Sequence, residues 1–405
     1  MAQGEWKSGF PWLRPSFWAF LGTLAAVEFA RGALFISILP TYITTQLGYG
    51  VAVSGLVLSA HYLADTLFKS PLGWLVDRYG GRRILSLALP WVLFSVFLLQ
   101  SGHSPWLLVL AAGLYGLAAA PTWPSVVGTL IELSPPEERG GIMGAVNMAW
   151  LMGSGLGTIL VNFLISSTFQ RAFWAVEAVL ALGLLLALGL RLRQRRSSRH
   201  HQVDHPSLRQ QLDRIWKHLA SIRALLPGMF VQTLSIGMLL PVLAPYARLQ
   251  LGLTQAHYAY LLLAGGGVTV LLLVPFGRLA DRWSYRGFLT LGFALAALSL
   301  LLLVDVEKVV WVYALVCLLG AAYAMILPSW NAVLTRTLPS TVRGTLIGFF
   351  MSVEGLGVAS GPVLGAKLWE ILGPQVPFHA SAAVLAVMAV FYLLYPLPGL
   401  GAGAS

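Results

Sequence analysis

The amino-acid sequence predicts an all-α polytopic membrane protein with twelve transmembrane helices arranged as two six-helix pseudo-repeats. Composition, the spacing of apolar runs and an internal repeat support this fold class. Of the 405 residues, 57% are hydrophobic and 10% are charged, whereas an ordinary soluble protein has about 25% charged residues. The 42 glycines and 22 prolines are compatible with helices, because both are more frequent in membrane helices than in soluble ones. The composition excludes a soluble enzyme, a nucleic-acid-binding protein and a disulfide-stabilised scaffold.

Apolar runs of membrane-spanning length recur along the whole chain. A bilayer core about 30 Å thick requires about 20 apolar residues per helix. This requirement predicts spans at 16–39, 52–74, 84–100, 105–128, 141–165, 173–190, 224–247, 257–277, 287–304, 309–334, 344–366 and 376–396. One long polar segment separates the first six from the last six. We therefore expect an N-terminal six-helix bundle over 1–190, a basic cytoplasmic linker over 191–223 and a C-terminal six-helix bundle over 224–405.

Lysine and arginine residues are concentrated on one side of the predicted membrane. Loops rich in these residues remain in the cytoplasm, so both termini and the linker are expected there. Outside the linker, the cytoplasmic set is Lys7, Arg14, Arg78, Arg82, Arg83, Arg139, Arg278, Arg282, Arg286, Arg336 and Arg343, and the opposite side holds Arg171, Arg248, Lys308 and Lys367. The net charge of +11 is then a topology signal with some attraction to anionic lipid headgroups, and we expect no nucleic-acid partner.

The two predicted halves share unusual residues at a constant offset of 204 positions. The offset superimposes Gly73, Asp77, Arg78, Pro124, Ser125, Arg139, Gly140, Gly144, Gly153 and Gly157 on Gly277, Asp281, Arg282, Pro328, Ser329, Arg343, Gly344, Gly348, Gly357 and Gly361. Parallel repeats of this kind occur in secondary transporters, which bind substrate between the halves near the middle of the membrane. The repeat therefore predicts a transporter rather than an enzyme.

The segment between the second and third spans carries a recognisable motif. It reads GWLVDRYGGRR from Gly73 to Arg83, and a degenerate second copy, GRLADRWSYR, starts at Gly277. This segment resembles the signature loop of the major facilitator superfamily, which implies the major facilitator fold and a loop that latches the cytoplasmic side in one conformation. The residues expected to act in this gating are Gly73, Asp77, Arg78, Arg82, Arg83, Asp281 and Arg282. A role limited to setting the membrane topology is the alternative.

Four ionisable residues lie inside the first two spans, namely Glu28, Arg31, Asp65 and Lys69. A charge at the centre of a membrane helix costs about 2.5–3.5 kcal/mol on insertion scales, so these side chains are expected to face a cavity or one another. Glu28 and Arg31 are spaced i,i+3, and Asp65 and Lys69 are spaced i,i+4, which places each pair on one helix face. His61 shares the face of Asp65.

The two carboxylates are candidates for carrying protons. The protonation of a buried carboxylate depends strongly on its distance from a neighbouring cation, and that distance changes when a transporter opens to alternate sides. We predict Glu28 and Asp65 as proton carriers and Arg31 as the cation that tunes them. A static salt bridge between the helices is the alternative, and Lys69 could instead extend towards the cytoplasmic surface.

Two further acidic residues lie in predicted spans. Glu354 belongs to the eleventh span, where glycines recur at 348, 357, 361 and 365. This spacing resembles the antiporter motif of facilitator exporters, although generic close packing is the alternative. We assign Glu354 to the gating set and consider it as a second titrating site. Glu177, in the sixth span, is interpreted as an interfacial residue.

Tryptophans near amide side chains predict part of a substrate cavity. Trp123, Asn147, Trp150, Trp330 and Asn331 lie in the fourth, fifth and tenth spans. Aromatic rings can stack on sugar faces and amides can bind hydroxyl groups, so these five residues are predicted to contact the substrate. For Trp123 and Trp330 the alternative is an aromatic belt at the membrane interface.

Several short stretches resemble a narrower family, the proton-coupled glycolipid flippases of lipoteichoic acid assembly. They are EFARG (28–32), AHYLAD (60–65), APTWP (120–124), LLPG (225–228) and LPSWN (327–331), in matching order along nearly the whole chain. The resemblance implies a carrier that moves a diglucosyl-diacylglycerol lipid across the bacterial plasma membrane. It also implies that protons are the coupling ion.

The same resemblance implies roles for individual residues. Headgroup binding and proton coupling would fall to Glu28, Arg31 and Asp65, and cavity aromatics would be Trp123 and Trp150. The C-terminal half of the cavity is more apolar in that family, which suits acyl chains, and here Gln232 is an isolated polar residue within it. Two departures are present, because residues 161–169 lack an expected lysine and Glu354 replaces a neutral amide.

The leading hypothesis is a proton-coupled secondary transporter that flips a glycolipid by alternating access. The runner-up is a proton-driven exporter of amphipathic drugs, although residues 106–128 lack the arginine that such exporters usually carry in the fourth helix. A non-transporting receptor on the same fold is a third hypothesis, which the complete Gly73–Arg83 motif disfavours. We expect a monomeric multi-pass protein of the bacterial inner membrane that interacts with membrane lipids, protons and an amphipathic substrate, with no enzymatic activity, cofactor or metal.

Overall fold

The computed structural model describes residues 14–132, 134–135, 138–165, 168–193, 216, 225–306, 308–337 and 343–395. Within these residues, twelve helices are long and apolar enough to cross a membrane. They are α1 Pro15–Gln46, α2 Val51–Tyr79, α3 Gly81–Ser101, α4 Pro105–Glu132, α5 Arg139–Ile165, α6 Phe169–Arg193, α7 Leu226–Leu249, α8 Gln255–Arg282, α9 Tyr285–Leu303, α10 Val309–Thr337, α11 Arg343–Leu372 and α12 Val376–Leu394. The predicted all-α fold with twelve spans is confirmed.

The chain divides into two compact units. Unit 1 comprises Met1–Tyr49 and Leu56–Val203, and unit 2 comprises Gly50–Gly55 and Asp204–Ser405. Most of the predicted 191–223 linker lies outside the described residues, apart from the end of α6 and residue 216. The bundle limits proposed from the sequence therefore stay a prediction.

Helices α1 and α5 of unit 1 are in backbone contact through glycine. A Cβ atom added at Gly157 would lie 2.1 Å from the carbonyl oxygen of Phe29, and one added at Gly153 would lie 2.5 Å from that of Ala25. From the other side, a Cβ at Gly32 would lie 2.3 Å from the carbonyl oxygen of Ser154. Small residues at these positions allow two membrane helices to approach closely. The spacing therefore has a packing role in this unit.

Helices α7 and α11 of unit 2 pack in the corresponding way. A Cβ at Gly357 would lie 2.5 Å from the carbonyl oxygen of Phe230, and one at Gly365 would lie 2.0 Å from that of Met238. Gly357 corresponds to Gly153 through the 204-residue offset. Of the glycines that resemble an antiporter motif, those at 357, 361 and 365 are thus helix-contact residues, whereas a Cβ at Gly348 would have nothing within 4 Å.

A second helix pair also follows the repeat. A Cβ at Gly116 of α4 would lie 2.2 Å from the carbonyl oxygen of His61 in α2. In unit 2, a Cβ at Gly320 of α10 would lie 2.2 Å from the carbonyl oxygen of Gly265 in α8. His61 and Gly265, like Gly116 and Gly320, are separated by the same offset. The internal repeat is therefore visible in backbone contacts as well as in sequence.

Helix α1 is not α-helical throughout. It runs as an α-helix over Pro15–Gly32, widens to a π-helix over Ala33–Ile38 and does so again over Tyr42–Gln46. Pro40, between the two π segments, has no N–H group, and its ring would clash with the carbonyl four residues earlier in a regular α-helix. Widening the turn reduces this clash. Single π turns inside α-helices are often found at functional sites, and the first π segment begins two residues after Arg31.

The sequence resemblance predicted that the Gly73–Arg83 motif forms a loop. In the structure the motif is almost entirely helical. Its first part is the end of α2 and its last part is the beginning of α3, with Gly80 between them at φ 86°. Such a positive φ is accessible to glycine at little cost, so one residue suffices to reverse the chain. A Cβ at Gly81 would lie 2.6 Å from the carbonyl oxygen of Ser125, whereas one at Gly73 would lie 3.9 Å from Pro124. The tight helix contact is therefore at Gly81.

Candidate functional site: a buried ion cluster in unit 1

The four ionisable side chains predicted inside α1 and α2 lie together in unit 1. Arg31 Nε is 3.6 Å from Glu28 Oε2, and Arg31 Nη2 is 3.3 Å from Asp65 Oδ1. Lys69 Nζ donates a hydrogen bond of 2.8 Å to Asp65 Oδ2. The four residues thus form a continuous chain of alternating charge, which we call the ion cluster. The i,i+3 and i,i+4 pairs follow from helix geometry, and the Arg31–Asp65 pair joins the two helices.

Burial is graded along the ion cluster. Glu28 and Asp65 are 3% and 4% exposed. The Arg31 side chain is 18% exposed and the Lys69 side chain is 34% exposed. Burying an ionised group is costly unless it is paired and hydrogen-bonded. The two carboxylates therefore depend on the two cations, while Lys69 keeps its ammonium group within reach of solvent.

Aromatic side chains enclose the ion cluster on the His61 side. The His61 ring is fully buried and stacks on Phe35, with ring centroids 3.8 Å apart and an interplanar angle of 11°. Tyr62 and Tyr115 contact the same imidazole edge-on, with ring centroids 4.7 and 5.3 Å from the centroid of the imidazole. Phe35 belongs to the first π segment of α1. The widened part of α1 is thus in direct contact with the helix that carries Asp65.

Glu28 also interacts with the nearby indole of Trp150. Glu28 Oε2 and Arg31 Nε are buried without a hydrogen-bond partner of standard geometry, because their mutual separation of 3.6 Å exceeds hydrogen-bond range. Trp150 is 39% exposed on α5. Asn147, also exposed, lies three residues earlier and therefore shares its face of the helix. One acid of the ion cluster is thus adjacent to an accessible aromatic and amide surface.

Sequence reasoning missed a second polar contact between α1 and α5. Ser37 Oγ donates to the carbonyl oxygen of Thr158 at 2.8 Å, and Asn162 Nδ2 donates to Ser37 Oγ at 2.9 Å. All three side chains are buried. An asparagine inside an apolar run was the available signal, since buried amides require partners. These bonds hold the π segment of α1 against α5.

The predicted substrate residues of the C-terminal half lie in unit 2 and differ in exposure. Trp330 is 2% exposed, and its ring is 6.1 Å from that of Tyr392 in the core. Asn331 is exposed, and Gln232 is half-buried. Trp123, in unit 1, is also half-buried. The ring of Trp330 is therefore a core group, and substrate stacking on it would require repacking.

The predicted gating residues other than Gly73 and Glu354 lie at helix ends. Asp77, Arg78, Arg83, Asp281 and Arg282 are exposed, and Arg82 is half-buried. The Arg78 guanidinium lies over the rings of Trp74 and Tyr79 at 5.3 and 5.6 Å, within cation–π range. Asp281 accepts a hydrogen bond from the hydroxyl of Tyr285. A gating role for these residues stays a prediction.

A groove on unit 1 lies apart from the ion cluster. It has a volume of about 610 Å³ and is lined by aromatic and small side chains of α3 and α6, among them Phe94, Phe97 and Trp174, together with Glu177. Glu177 is half-buried there. Its interpretation as a residue of the membrane interface stays a prediction. The groove does not include any residue of the ion cluster.

The chemistry available in the ion cluster is proton exchange and polar binding. Two carboxylates and two cations give a formal charge balance, so adding one proton leaves a net positive charge of one. Within the described residues, no three histidine, cysteine or acidic side chains come together as metal ligands. The arrangement is suited to a change of charge state rather than to covalent catalysis.

Comparison with known proteins places this site in a family context. The family model of the Major Facilitator Superfamily matches residues 21–227 and again residues 225–403. The chain is 29% identical over 390 residues to the proton-coupled antiporter flippase LtaA of Staphylococcus haemolyticus, strain JCSC1435, and covers 94% of each chain. It is 27% identical over 388 residues to the protein of the same name from Staphylococcus aureus, strain N315, again with 94% of each chain covered.

Two solved structures share the fold at low sequence identity. The nucleoside transporter NupG superimposes with a TM-score of 0.74 at 15% identity, covering 92% of this chain and 98% of that one. A bacterial homologue of the human lysosomal transporter Spinster superimposes with a TM-score of 0.75 at 16% identity, covering 96% and 97%. With both halves matched by the family model, this multi-pass bacterial membrane protein is a transporter and not an enzyme, and the chain belongs to the major facilitator superfamily.

Proposed function

We propose that this protein is a proton-coupled transporter that flips a glycolipid, of the diglucosyl-diacylglycerol type, across the bacterial plasma membrane by alternating access. The observation that carries the proposal is the buried chain Glu28–Arg31–Asp65–Lys69. Ionisable residues inside a membrane protein are expensive and mark ion or substrate pathways. The printed names of the Staphylococcus relatives, proton-coupled antiporter flippases, support the same function.

Asp65 is the proposed switch of the coupling reaction. Its two carboxylate oxygens are each occupied by a different cation, Arg31 and Lys69. A proton on Asp65 weakens both pairs at once, because a neutral carboxyl group no longer attracts a cation. Arg31 is then left with Glu28 alone. Protonation of one residue thereby changes the link between α1 and α2.

The headgroup is proposed to bind where the ion cluster meets the exposed face of α5. Trp150 presents an aromatic surface for a sugar ring, and Asn147 presents an amide that donates to and accepts from hydroxyl groups. Glu28 interacts with Trp150, so a sugar on the indole would lie next to an acid of the ion cluster. This contact gives a physical route by which headgroup binding and proton binding influence each other.

The acyl chains are proposed to bind along the helices of unit 2. These helices expose large apolar side chains, including Ile236 at 40%, Leu356 at 45% and Met351 at 41%. A sugar headgroup suits the polar residues of unit 1, and acyl chains suit the apolar side chains of unit 2.

Transport in reconstituted vesicles tests the proposed function. The purified chain is reconstituted with a fluorescent diglucosyl lipid, and outer-leaflet lipid is quenched with and without a proton gradient. We expect flipping that depends on the protein and accelerates with the gradient. An equal rate in empty vesicles, or a rate insensitive to the gradient, contradicts the proposal.

The alternative function is proton-driven export of amphipathic drugs. The same vesicles, loaded with a cationic dye, distinguish the two activities. Gradient-dependent dye movement without lipid flipping would favour the exporter. The absence of an arginine in residues 106–128, which such exporters usually carry, leads us to expect the opposite result.

A further inference from the structure

Unit 2 contains a carboxylate at mid-helix depth that is remote from lysine and arginine. Glu354 lies near the middle of α11, a helix of 30 residues. The lysines and arginines of the six helices of unit 2 all lie within two turns of a helix end, at Arg248, Arg278, Arg282, Arg286, Arg336, Arg343 and Lys367. A charged side chain at the centre of a membrane helix costs about 2.5–3.5 kcal/mol on insertion scales. Unlike the acids of the ion cluster, Glu354 forms no ion pair with a lysine or arginine among the described side chains that would offset that cost.

Polar side chains of α10 face this carboxylate. Tyr323 and the indole of Trp330 both interact with Glu354. Trp330 is almost fully buried, and its Nε1 has no hydrogen-bond partner of standard geometry among the described groups. An N–H donor in the core is therefore available to an ionised Glu354 after a small movement of either side chain.

The internal repeat supplies a matching acceptor on α7. The 204-residue offset relates Glu28 to Gln232 and Trp150 to Glu354. In unit 1 the side chains of Glu28 and Trp150 interact. In unit 2, α7 and α11 pack through the equivalent glycine contact at Gly357, and the buried Oε1 atom of Gln232 has no hydrogen-bond partner among the described groups. Unit 2 therefore has polar side chains at the two positions that interact in unit 1. The acid is on α11 instead of the first helix of the repeat, and an amide is on α7.

We propose that Glu354 is a second proton-binding site of the transporter, separate from the ion cluster. In the ionised state its carboxylate accepts hydrogen bonds from the Trp330 N–H and the Tyr323 O–H. In the neutral state its O–H donates to an acceptor, for which Gln232 Oε1 is placed by the repeat. The step transfers one proton between water and the carboxylate and changes no other bond. The transport role of this proton rests on the proposed function, whereas proton binding at Glu354 does not.

Chemical labelling tests proton binding without a transport assay. A hydrophobic carbodiimide modifies protonated carboxyl groups in apolar surroundings, and mass spectrometry locates the adduct. The full chain is labelled as wild type, as Glu354→Gln and as Glu177→Gln, which removes a half-buried acid of unit 1. We expect an adduct at Glu354 at acidic pH that is lost at alkaline pH, and that persists in Glu177→Gln. An adduct that is independent of pH overturns the proposal.

Infrared titration provides a second measurement on the same proteins. The carbonyl band of a protonated carboxyl group disappears on ionisation, so Glu354→Gln should remove one pH-dependent band that Glu177→Gln retains. If Glu354 is unreactive and its replacement leaves every titrating band in place, Glu354 does not exchange a proton.

The pH dependence of transport tests the role of this proton in the cycle. Each coupled proton contributes about a tenfold change in equilibrium per pH unit. If both sites are coupled, Glu354→Gln should reduce the steepness of lipid accumulation from about a hundredfold to about tenfold per pH unit. Unchanged steepness overturns the coupled role. If the wild type flips no lipid, the proposed function fails, and labelling still decides whether Glu354 binds a proton.

Discussion

Asp65 is the residue on which the geometry of the ion cluster depends most. It is 4% exposed, and its two oxygens bind Arg31 at 3.3 Å and Lys69 at 2.8 Å. Removing one partner from a buried ion pair is strongly destabilising, by about 3–5 kcal/mol, because the other charge is left unpaired. Arg31 retains Glu28 and Lys69 is partly exposed, so the lower end of that range applies.

Replacing Asp65 by asparagine should therefore lower stability by about 3 kcal/mol and make transport depend less steeply on the proton gradient. Thermal unfolding in detergent measures the first effect, and flipping with and without a gradient measures the second. Glu177→Gln is the matched control, because it neutralises an acid in another membrane helix of unit 1 outside the ion cluster. Gradient dependence that is unchanged in Asp65→Asn would exclude this residue as a proton carrier.

Tyr115 supports the ion cluster without carrying a charge. Its hydroxyl group donates a buried hydrogen bond of 3.0 Å to the carbonyl oxygen of Val27, the residue before Glu28. Loss of a buried hydrogen bond costs about 0.5–1.5 kcal/mol. Tyr115→Phe should lower the free energy of unfolding by about 1 kcal/mol, which is measured as a lower unfolding temperature. The dependence of transport on the proton gradient should be unchanged. If stability is unchanged and coupling is lost, the hydroxyl group belongs to the proton pathway instead.

The contact between α1 and α5 positions Glu28 of the ion cluster next to Trp150. A Cβ at Gly157 would lie 2.1 Å from a backbone carbonyl oxygen of α1, whereas one at Gly155 has nothing within 4 Å. Backbone atoms cannot move aside as a flexible side chain can. The two glycines are therefore a matched pair, identical in chemistry and two residues apart in one helix.

Alanine at Gly157 should force α1 and α5 apart and lower stability by about 1–3 kcal/mol, as overpacking does. Alanine at Gly155 should be neutral or slightly stabilising, because alanine is favoured over glycine in helices by up to about 1 kcal/mol. Unfolding temperatures of the two variants, measured side by side, check this prediction. Equal values would show that the helices are not in backbone contact in the folded protein.

At the scale of the whole molecule, the distribution of lysine and arginine predicts membrane orientation. The turn between α8 and α9 should be cytoplasmic and the turn between α9 and α10 should be outside. Trp283, which is 76% exposed, and Lys308, which is exposed, mark these two turns. Cys317 is the only native cysteine, so Cys317→Ser provides a background without thiols.

In that background, a membrane-impermeant maleimide should label Lys308→Cys in intact cells and should label Trp283→Cys only after the membrane is opened. Gel shift or mass spectrometry of the labelled protein reports the result. Labelling with the reverse pattern would invert the predicted topology and place both termini outside.

The large features of this fold could be predicted from the sequence because they depend on short-range patterns. Twelve spans follow from apolar run length, and the two units follow from the 204-residue repeat. The Glu28–Arg31 and Asp65–Lys69 pairs follow from helix periodicity. In each case the interacting residues lie within one helix or are related by a constant offset.

The remaining features depend on contacts between helices, which no local pattern specifies. The Arg31–Asp65 pair joins residues 34 positions apart, and the burial of Trp330 in the core of unit 2 depends on contacts with other helices. The end of α2 extends through Asp77 and Arg78 because charged residues can continue a helix beyond its apolar part. A search for apolar windows alone ends the span too early.

The widened stretch of α1 after Arg31 has a consequence for the evolution of this helix. A π turn holds one residue more than the α turn it replaces, and one residue corresponds to about 100° of rotation around an α-helix. A relative that lacks one residue between Ala33 and Ile38 would form an uninterrupted α-helix there, and Phe35 would point away from His61. Single-residue gaps in this stretch of an alignment would therefore separate homologues with the aromatic contact from homologues without it.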